Sequence, residues 1–449
     1  ESRKKWWLVA LYGSILFFEL MILYFTATRG AVLALLGTLI LFALSVVWFF
    51  YKIFPSRKDP NLHTTKSWGR RIALAVLGLV VVLPVVFWLI RGTNFVSSNQ
   101  VLNRLTNYSL EETTIKSRFM IWQMSWRGFL ERPILGWGQE NYYLVFQKYY
   151  NSQLYGEEPW FDRSHNIIFD WLVHTGFLGL SSYLAMLGIA VGGLVAGVRK
   201  NALPVWHGLV LVGLFVSSFL QNIFVFDKLN TYLLFFGFLA YSEFLFYGKA
   251  HAGNEGSEKV NGKNLTRKTA ERSFSLPAFA VGGALFIALV GALYTLNIKA
   301  IYQGKALINA LRMYQSEAPI ETLIKTFREA LSYNTFGNAE TREQISNIGR
   351  DVPYQSRFSQ ADKETYLKFA VEELTKETSR SSPDVKHLLF LGVMITRGIE
   401  QKVLTDALYV EKARAAFEQA LRLSPTKPML YLEYAQFLIL IGHNDLALE

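Results

Sequence analysis

The chain of 449 residues contains no cysteine, which excludes disulfides and thiolate-held metals and leaves its compartment open. No group of His, Asp and Glu has metal-ligand spacing, no paired-Asp motif occurs, and no Gly-rich phosphate loop ends in Lys-Ser or Lys-Thr. Metal-dependent and nucleotide-using chemistry is therefore not expected, and no cofactor is predicted. The first apolar run does not read as a cleavable signal, because it follows Lys4 and Lys5 without a small-residue cleavage site before Arg29. Acids are in the minority, 35 against 46 Lys and Arg, for a net charge of +11. The basic residues concentrate in short loops between apolar runs, so topology accounts for them better than nucleic acid does.

What is abundant is apolar surface: 51% of the residues are hydrophobic and 15% are Phe, Trp or Tyr. About seven runs reach the roughly 18 to 25 residues that a helix needs to cross about 30 Å of hydrocarbon. They are Trp6 to Phe25, Ala31 to Phe54, Ile72 to Ile90, an overlong run from Asn166 to Val198, Leu203 to Val225, Thr231 to Tyr247, and Leu276 to Leu296. The pattern predicts an all-α, polytopic membrane bundle followed by a soluble α-helical repeat domain. In domain terms it gives a transmembrane part over 1–247 with a large outer loop at 92–165, a Gly-, Asn- and Lys-rich linker at 248–275, a further span at 276–297, and repeats over 298–449. Because the chain starts at Glu1 and stops within a helical pattern at Glu449, it reads as a piece of a longer protein.

Lys and Arg are in excess at the N-terminus, in loop 55–71, at Arg199-Lys200 and in linker 248–275. By the positive-inside rule these face the cytoplasm. Arg29, the long loop, His165, Asp227 and the C-terminal helices then lie outside. Within the C-terminal part, Ala413, Phe417, Ala420 and Pro425 fall at the offsets of the second helix of a tetratricopeptide repeat, and Tyr431, Ala435 and Leu438 restart the pattern.

The long outer loop and its flanks hold the residues able to do chemistry. Arg29 stands at the outer end of a span between Thr28 and Gly30, with no acid beside it in sequence. Such a residue can be an interfacial arginine that snorkels, or a guanidinium that holds a phosphate through paired hydrogen bonds. Arg118, beside Ser117 and a short aromatic run ending at Trp122, carries the same two readings. His165 precedes the fourth span; it can cap or pack, or its imidazole can take a proton from a hydroxyl near neutral pH. Asn166, Asp170 and His174 share one helix face and read as a structural polar stripe. Pro133, Gly136 and Gly138 shape a turn.

Taken in order, Thr28-Arg29-Gly30, Ser117-Arg118 with Trp122, Pro133 with Gly136 and Gly138, and His165-Asn166 with Gly176 and Gly179 resemble the O-antigen ligase and polymerase family of bacterial membrane glycosyltransferases. The resemblance spans about Phe25 to Phe246. It implies a helical bundle of the C-type glycosyltransferase kind in the bacterial inner membrane, with its active site and C-terminal helices extracytoplasmic. Such enzymes move a glycan from undecaprenyl pyrophosphate to a glycan, lipid or protein acceptor by metal-independent, inverting transfer. It further implies that Arg29 and Arg118 bind the lipid pyrophosphate and that His165 serves the acceptor hydroxyl, with Trp122, Gly136, Gly138 and Asn166 completing the substrate-binding set. The family's further spans before the Thr-Arg-Gly element are absent here. The C-terminal helices, which lie outside the ligase core, are expected to hold an acceptor or a protein partner. A polymerase using a second lipid-linked glycan, a non-catalytic scaffold displaying the repeats, and a transporter are the rival readings; the last lacks spans broken by paired Gly or Pro elements.

Overall fold

A computed structural model describes residues 6–49, 61–106, 113–157, 159–200, 202–254, 276–379 and 384–448. Among these residues every regular element is helical. The chain divides into two compact units, one from residues 1–142 and 161–261, the other from 143–160 and 262–449.

In the first unit, Trp6–Thr26, Arg29–Val47, Arg70–Ile90 and Ile167–Arg199 are long and apolar enough to cross a membrane; Ala280–Gln315 in the second unit is the fifth such helix. The expected fifth and sixth spans appear as shorter apolar helices, His207–Asn222 and Leu229–Leu245. Both stretches lie within longer helices, Val205–Asn222 and Leu229–Asn254. Among the described residues, then, five helices meet the length and apolarity of a span and two more apolar helices stand beside them.

The expected loops are also more ordered than their composition suggests. Asn61–Arg71 forms the first turns of the helix Asn61–Ile90, and Gly248–Asn254 completes the helix Leu229–Asn254; the rest of both segments, 55–60 and 255–275, lies outside the described residues. The outer loop 92–165 holds the helices Gln100–Thr106, Thr113–Glu131 and Tyr142–Lys148.

Apolar packing joins the helices Ile167–Arg199, Val205–Asn222 and Leu229–Asn254 through Tyr183, Leu194, Leu211, Phe215 and Phe235. Phe215 meets Phe235 edge to face at 5.7 Å. No residue of the helix Trp6–Thr26 is buried, and its one acid, Glu19, lies on an exposed face.

In the second unit the helix Leu276–Leu293 runs through a π turn at Tyr294–Ile298 directly into Lys299–Gln315. Helical structure therefore continues without a break across residue 297. Helices then pair in sequence: Lys299–Gln315 with Ile320–Ser332, Asn338–Asp351 with Gln360–Thr378, and Val385–Glu400 with Ala407–Leu423. Phe417 is fully buried, with Phe437 at 5.7 Å and Tyr434 at 5.4 Å. Tyr431, where the repeat pattern restarts in the sequence, is half exposed, while Phe437 is fully buried.

Residues 143–160 of the outer loop belong to this unit, and one lysine fastens them. The ammonium of Lys427 lies 3.4 Å from the Trp160 ring centre and 4.6 Å from that of Tyr150, and it donates to the Pro159 carbonyl at 2.6 Å. Its side chain is almost wholly buried. Burial pulls its pKa down to about 7, while the rings and the carbonyl oxygen favour the charged form. Nearby, the Gln147 amide oxygen accepts the Val385 N–H at 3.0 Å and the Tyr150 carbonyl accepts the Thr426 hydroxyl at 2.5 Å.

Candidate functional site

The helix Arg29–Leu44 begins at Arg29, after a tight turn in which Ala27 takes φ 47°. A cation at a helix N-terminus opposes the local dipole, whose positive end favours anions. It is therefore a poor choice for helix stability and a good one for adding to an anion-attracting end. Arg29 Nε donates to the Arg104 carbonyl at 2.8 Å, which ties it to the helix Gln100–Thr106. Gly30 brings the helix close to Phe224, where an added Cβ would sit 3.2 Å from the Phe224 Cβ. Two residues on, the Phe226 ring meets His165 edge to face at 5.2 Å.

His165 adopts φ 54°, a left-handed conformation uncommon outside glycine, though His joins Asn and Asp among the residues that visit it more often. Phe161 contacts its ring from another direction at 5.6 Å. Its neighbour Ser164 accepts at the backbone carbonyl from the Trp122 indole N–H at 3.1 Å, and Trp122 stacks on Phe169 at 5.9 Å. Arg118 lies one turn before Trp122 on the helix Thr113–Glu131. Burial lowers its pKa from the usual arginine value, though a guanidinium stays charged in proteins. A sequence of contacts thus runs from Arg29-Gly30 through Phe224–Phe226 to His165, and from Ser164 through Trp122 to the Arg118 helix.

Asn166 acts as an N-cap: its side-chain oxygen accepts the N–H groups of Ile168 at 2.9 Å and Phe169 at 3.3 Å. Asp170 accepts from the Ser164 backbone N–H at 2.7 Å and hydroxyl at 2.6 Å. These bonds fix the segment that presents His165.

The glycines hold a lock between two backbones. The helix Ile167–Arg199 is broken at Gly176, which takes φ 66° and ψ −164°. The freed carbonyls of Val173 and His174 accept the N–H groups of Trp137 at 2.8 Å and Gly138 at 2.9 Å, and Pro133 accepts from Phe177 at 2.7 Å. Gly136, with φ 68°, lies so close that an added Cβ would fall 2.5 Å from the Val173 carbonyl oxygen. The apolar run that was overlong for a span is therefore interrupted near its start, and Gly136 and Gly138 have a structural task there.

Arg163 and Asp227 had no role assigned in the sequence beyond topology. Arg163 Nη2 pairs with Glu140 Oε1 at 2.5 Å. Asp227, in the turn between two apolar helices, accepts from the Asn222 amide at 2.6 Å, and burial raises its pKa from the ordinary carboxylate value. An acid in a turn on the same side as His165 was the available signal. Among the described residues no three His, Asp or Glu side chains are grouped as a metal site would require.

Residues 14–184, less than half of the chain, match the family model described as O-antigen ligase, and the match takes in Arg29, Arg118, Trp122, Gly136, Gly138, His165 and Asn166. No curated protein and no solved structure matches the chain. Over those residues the chain is similar to O-antigen ligases, which points to a membrane glycosyltransferase of the ligase or polymerase type.

Proposed function

We propose that this protein transfers a glycan from a lipid pyrophosphate of the undecaprenyl type to an acceptor hydroxyl on the extracytoplasmic face of the bacterial inner membrane. The observation that carries the reading is that one family match spans two arginines and a histidine whose elements are tied together by the Phe224–Phe226 and Ser164–Trp122 contacts. Pyrophosphate is already a good leaving group, so the protein's work is to orient the reactants and to stabilise negative charge.

Arg29 and Arg118 serve the pyrophosphate. The N-terminal N–H groups of the helix Arg29–Leu44 add to the positive field at Arg29. The acceptor oxygen attacks the anomeric carbon from the face opposite the leaving group while the bond from that carbon to the phosphate oxygen breaks, giving inversion. His165 takes the proton from the attacking hydroxyl. The arginines carry the developing charge without a metal. Glycan, lipid and protein hydroxyls all satisfy this chemistry, and the paired helices of residues 299–448 supply a surface for a protein acceptor or partner.

Incubating the full-length protein in nanodiscs with undecaprenyl-pyrophosphate-linked glycan and a panel of acceptors, followed by mass spectrometry, tests the reading. An acceptor gaining the mass of the glycan, together with free undecaprenyl pyrophosphate, is expected. Donor left intact with every acceptor would count against transfer.

A further inference from the structure

Beside the segment that carries His165, a small cleft of about 40 Å³ is lined by Gln139, Arg163, Asp170, Trp171, His174, Asp227 and others. Its hydrogen-bonding character follows from the partners of each group. His174 is 3% exposed, and its Nδ1 lies 2.8 Å from the Asp170 backbone carbonyl. A carbonyl oxygen can only accept, so Nδ1 bears the proton and Nε2 presents a lone pair. That Nε2 is buried with no hydrogen-bond partner among the described residues. A buried imidazole nitrogen without a partner is destabilising and calls for a donor.

The other walls agree. Asp170 and Asp227 are acceptors already anchored by Ser164 and Asn222. The one cation in the lining, Arg163, is paired with Glu140, so the cleft is a poor host for phosphate. Both carboxylates already accept protein donors, so neither is left as an unpaired charge that calls for a cation. What remains is a neutral donor. The volume is several times that of one water-sized probe sphere, and Trp171 forms part of the wall, offering the flat apolar face that a sugar ring's C–H groups pack against.

We propose that this cleft is a saccharide subsite in which His174 Nε2 accepts a hydrogen bond from a hydroxyl of the glycan, with Asp170 and Asp227 beside it and Trp171 against the ring. The assignment deepens the transferase reading and rests on it for the identity of the ligand, but its test does not use transfer. His174 here positions substrate; the reacting atoms stay with His165.

Saturation-transfer NMR on the full-length protein in nanodiscs, titrated with free galactose, N-acetylglucosamine, mannose and rhamnose, reads the site directly. At least one sugar is expected to bind. His174→Phe, which fills the cleft and removes the acceptor, should weaken that sugar about tenfold or more, and His174→Gln should recover part of the loss. Should His174→Phe fail to fold, Asp227→Asn, which keeps the shape, is expected to weaken the same sugar. No sugar binding to the wild type, unchanged affinity in a folded His174→Phe protein, or displacement of the sugar by methylammonium would each overturn the subsite. Transfer by a wild type that binds no free sugar would leave the transferase reading standing, whereas sugar binding without any transfer would count against that reading alone.

Discussion

Replacing Gly176 by alanine tests whether the break in the helix Ile167–Arg199 is what holds the candidate site in place. At φ 66° and ψ −164° the backbone is in a region that is essentially confined to glycine, and forcing another residue there costs about 1 to 3 kcal/mol. The new Cβ would also lie 2.3 Å from the Ile134 carbonyl oxygen and 2.4 Å from its carbon. Those are backbone atoms, so relief requires separating the two segments. Separation breaks the bonds from Trp137, Gly138 and Phe177, at 2.8, 2.9 and 2.7 Å, each worth about 1 kcal/mol net. The sum is a loss of roughly 4 to 6 kcal/mol, or about 10 to 20 °C in melting temperature for a unit of this size. Thermal melting in detergent, with hydrogen exchange over 133–138 and 173–178 in nanodiscs, measures both halves of the effect. Gly188→Ala is the control: it lies in the same helix with nothing within 4 Å of an added Cβ, and it should be neutral or stabilising by up to about 1 kcal/mol. If Gly176→Ala melted and exchanged like the wild type, the lock would not be holding these segments.

Arg29→Lys and Arg118→Lys keep the charge but lose the planar fork; each is expected to lower the transfer rate about a hundredfold, measured as donor consumed. The Lys427 amine has a folded-state pKa of about 7, below the usual lysine value of about 10.4 in an unfolded chain. The unfolded state therefore holds more protons between those two values, and stability from this group rises with pH across that window. The melting temperature of the wild type minus that of Lys427→Met should climb between pH 7 and 10 and stay flat below pH 7. A chain without cysteine allows topology to be read from single introduced thiols. Ser98→Cys should be labelled by a membrane-impermeant maleimide in intact spheroplasts and Lys200→Cys only after lysis.

The apolar runs made the helical bundle legible, because hydrocarbon thickness imposes a length that few soluble helices match. Pairing of the C-terminal helices was legible too, through Phe417 and the small residues Ala413 and Ala420 at helical spacing. The break at Gly176 was not. A glycine inside an apolar run is tolerated in any membrane helix, and the turn that requires it, Pro133 to Gly138, lies some forty residues earlier. The fastening of residues 143–160 by Lys427 was hidden for the same reason, since its partners are separated by more than 260 residues. At the candidate site, Arg29, Arg118 and His165 stood out as charged or titratable residues beside spans. Asn166 read as part of a polar stripe, and the structure makes it the N-cap of the helix Ile167–Arg199. Asp170 and His174 read as a polar stripe from their spacing, but only the contacts show that Asp170 anchors Ser164 while one nitrogen of His174 is left without a partner among the described residues. Periodicity identifies a shared face; it carries no information on which polar atoms on that face are satisfied.

The division of labour between the arginines and His165 is tested most directly by measuring donor occupancy and undecaprenyl pyrophosphate release in the same sample of His165→Ala protein in nanodiscs, by native mass spectrometry with acceptor present. Lipid-linked glycan bound at wild-type occupancy and no release over many wild-type turnovers is the predicted result. Release at the wild-type rate, or loss of donor binding along with transfer, would contradict the assignment of His165 to the acceptor.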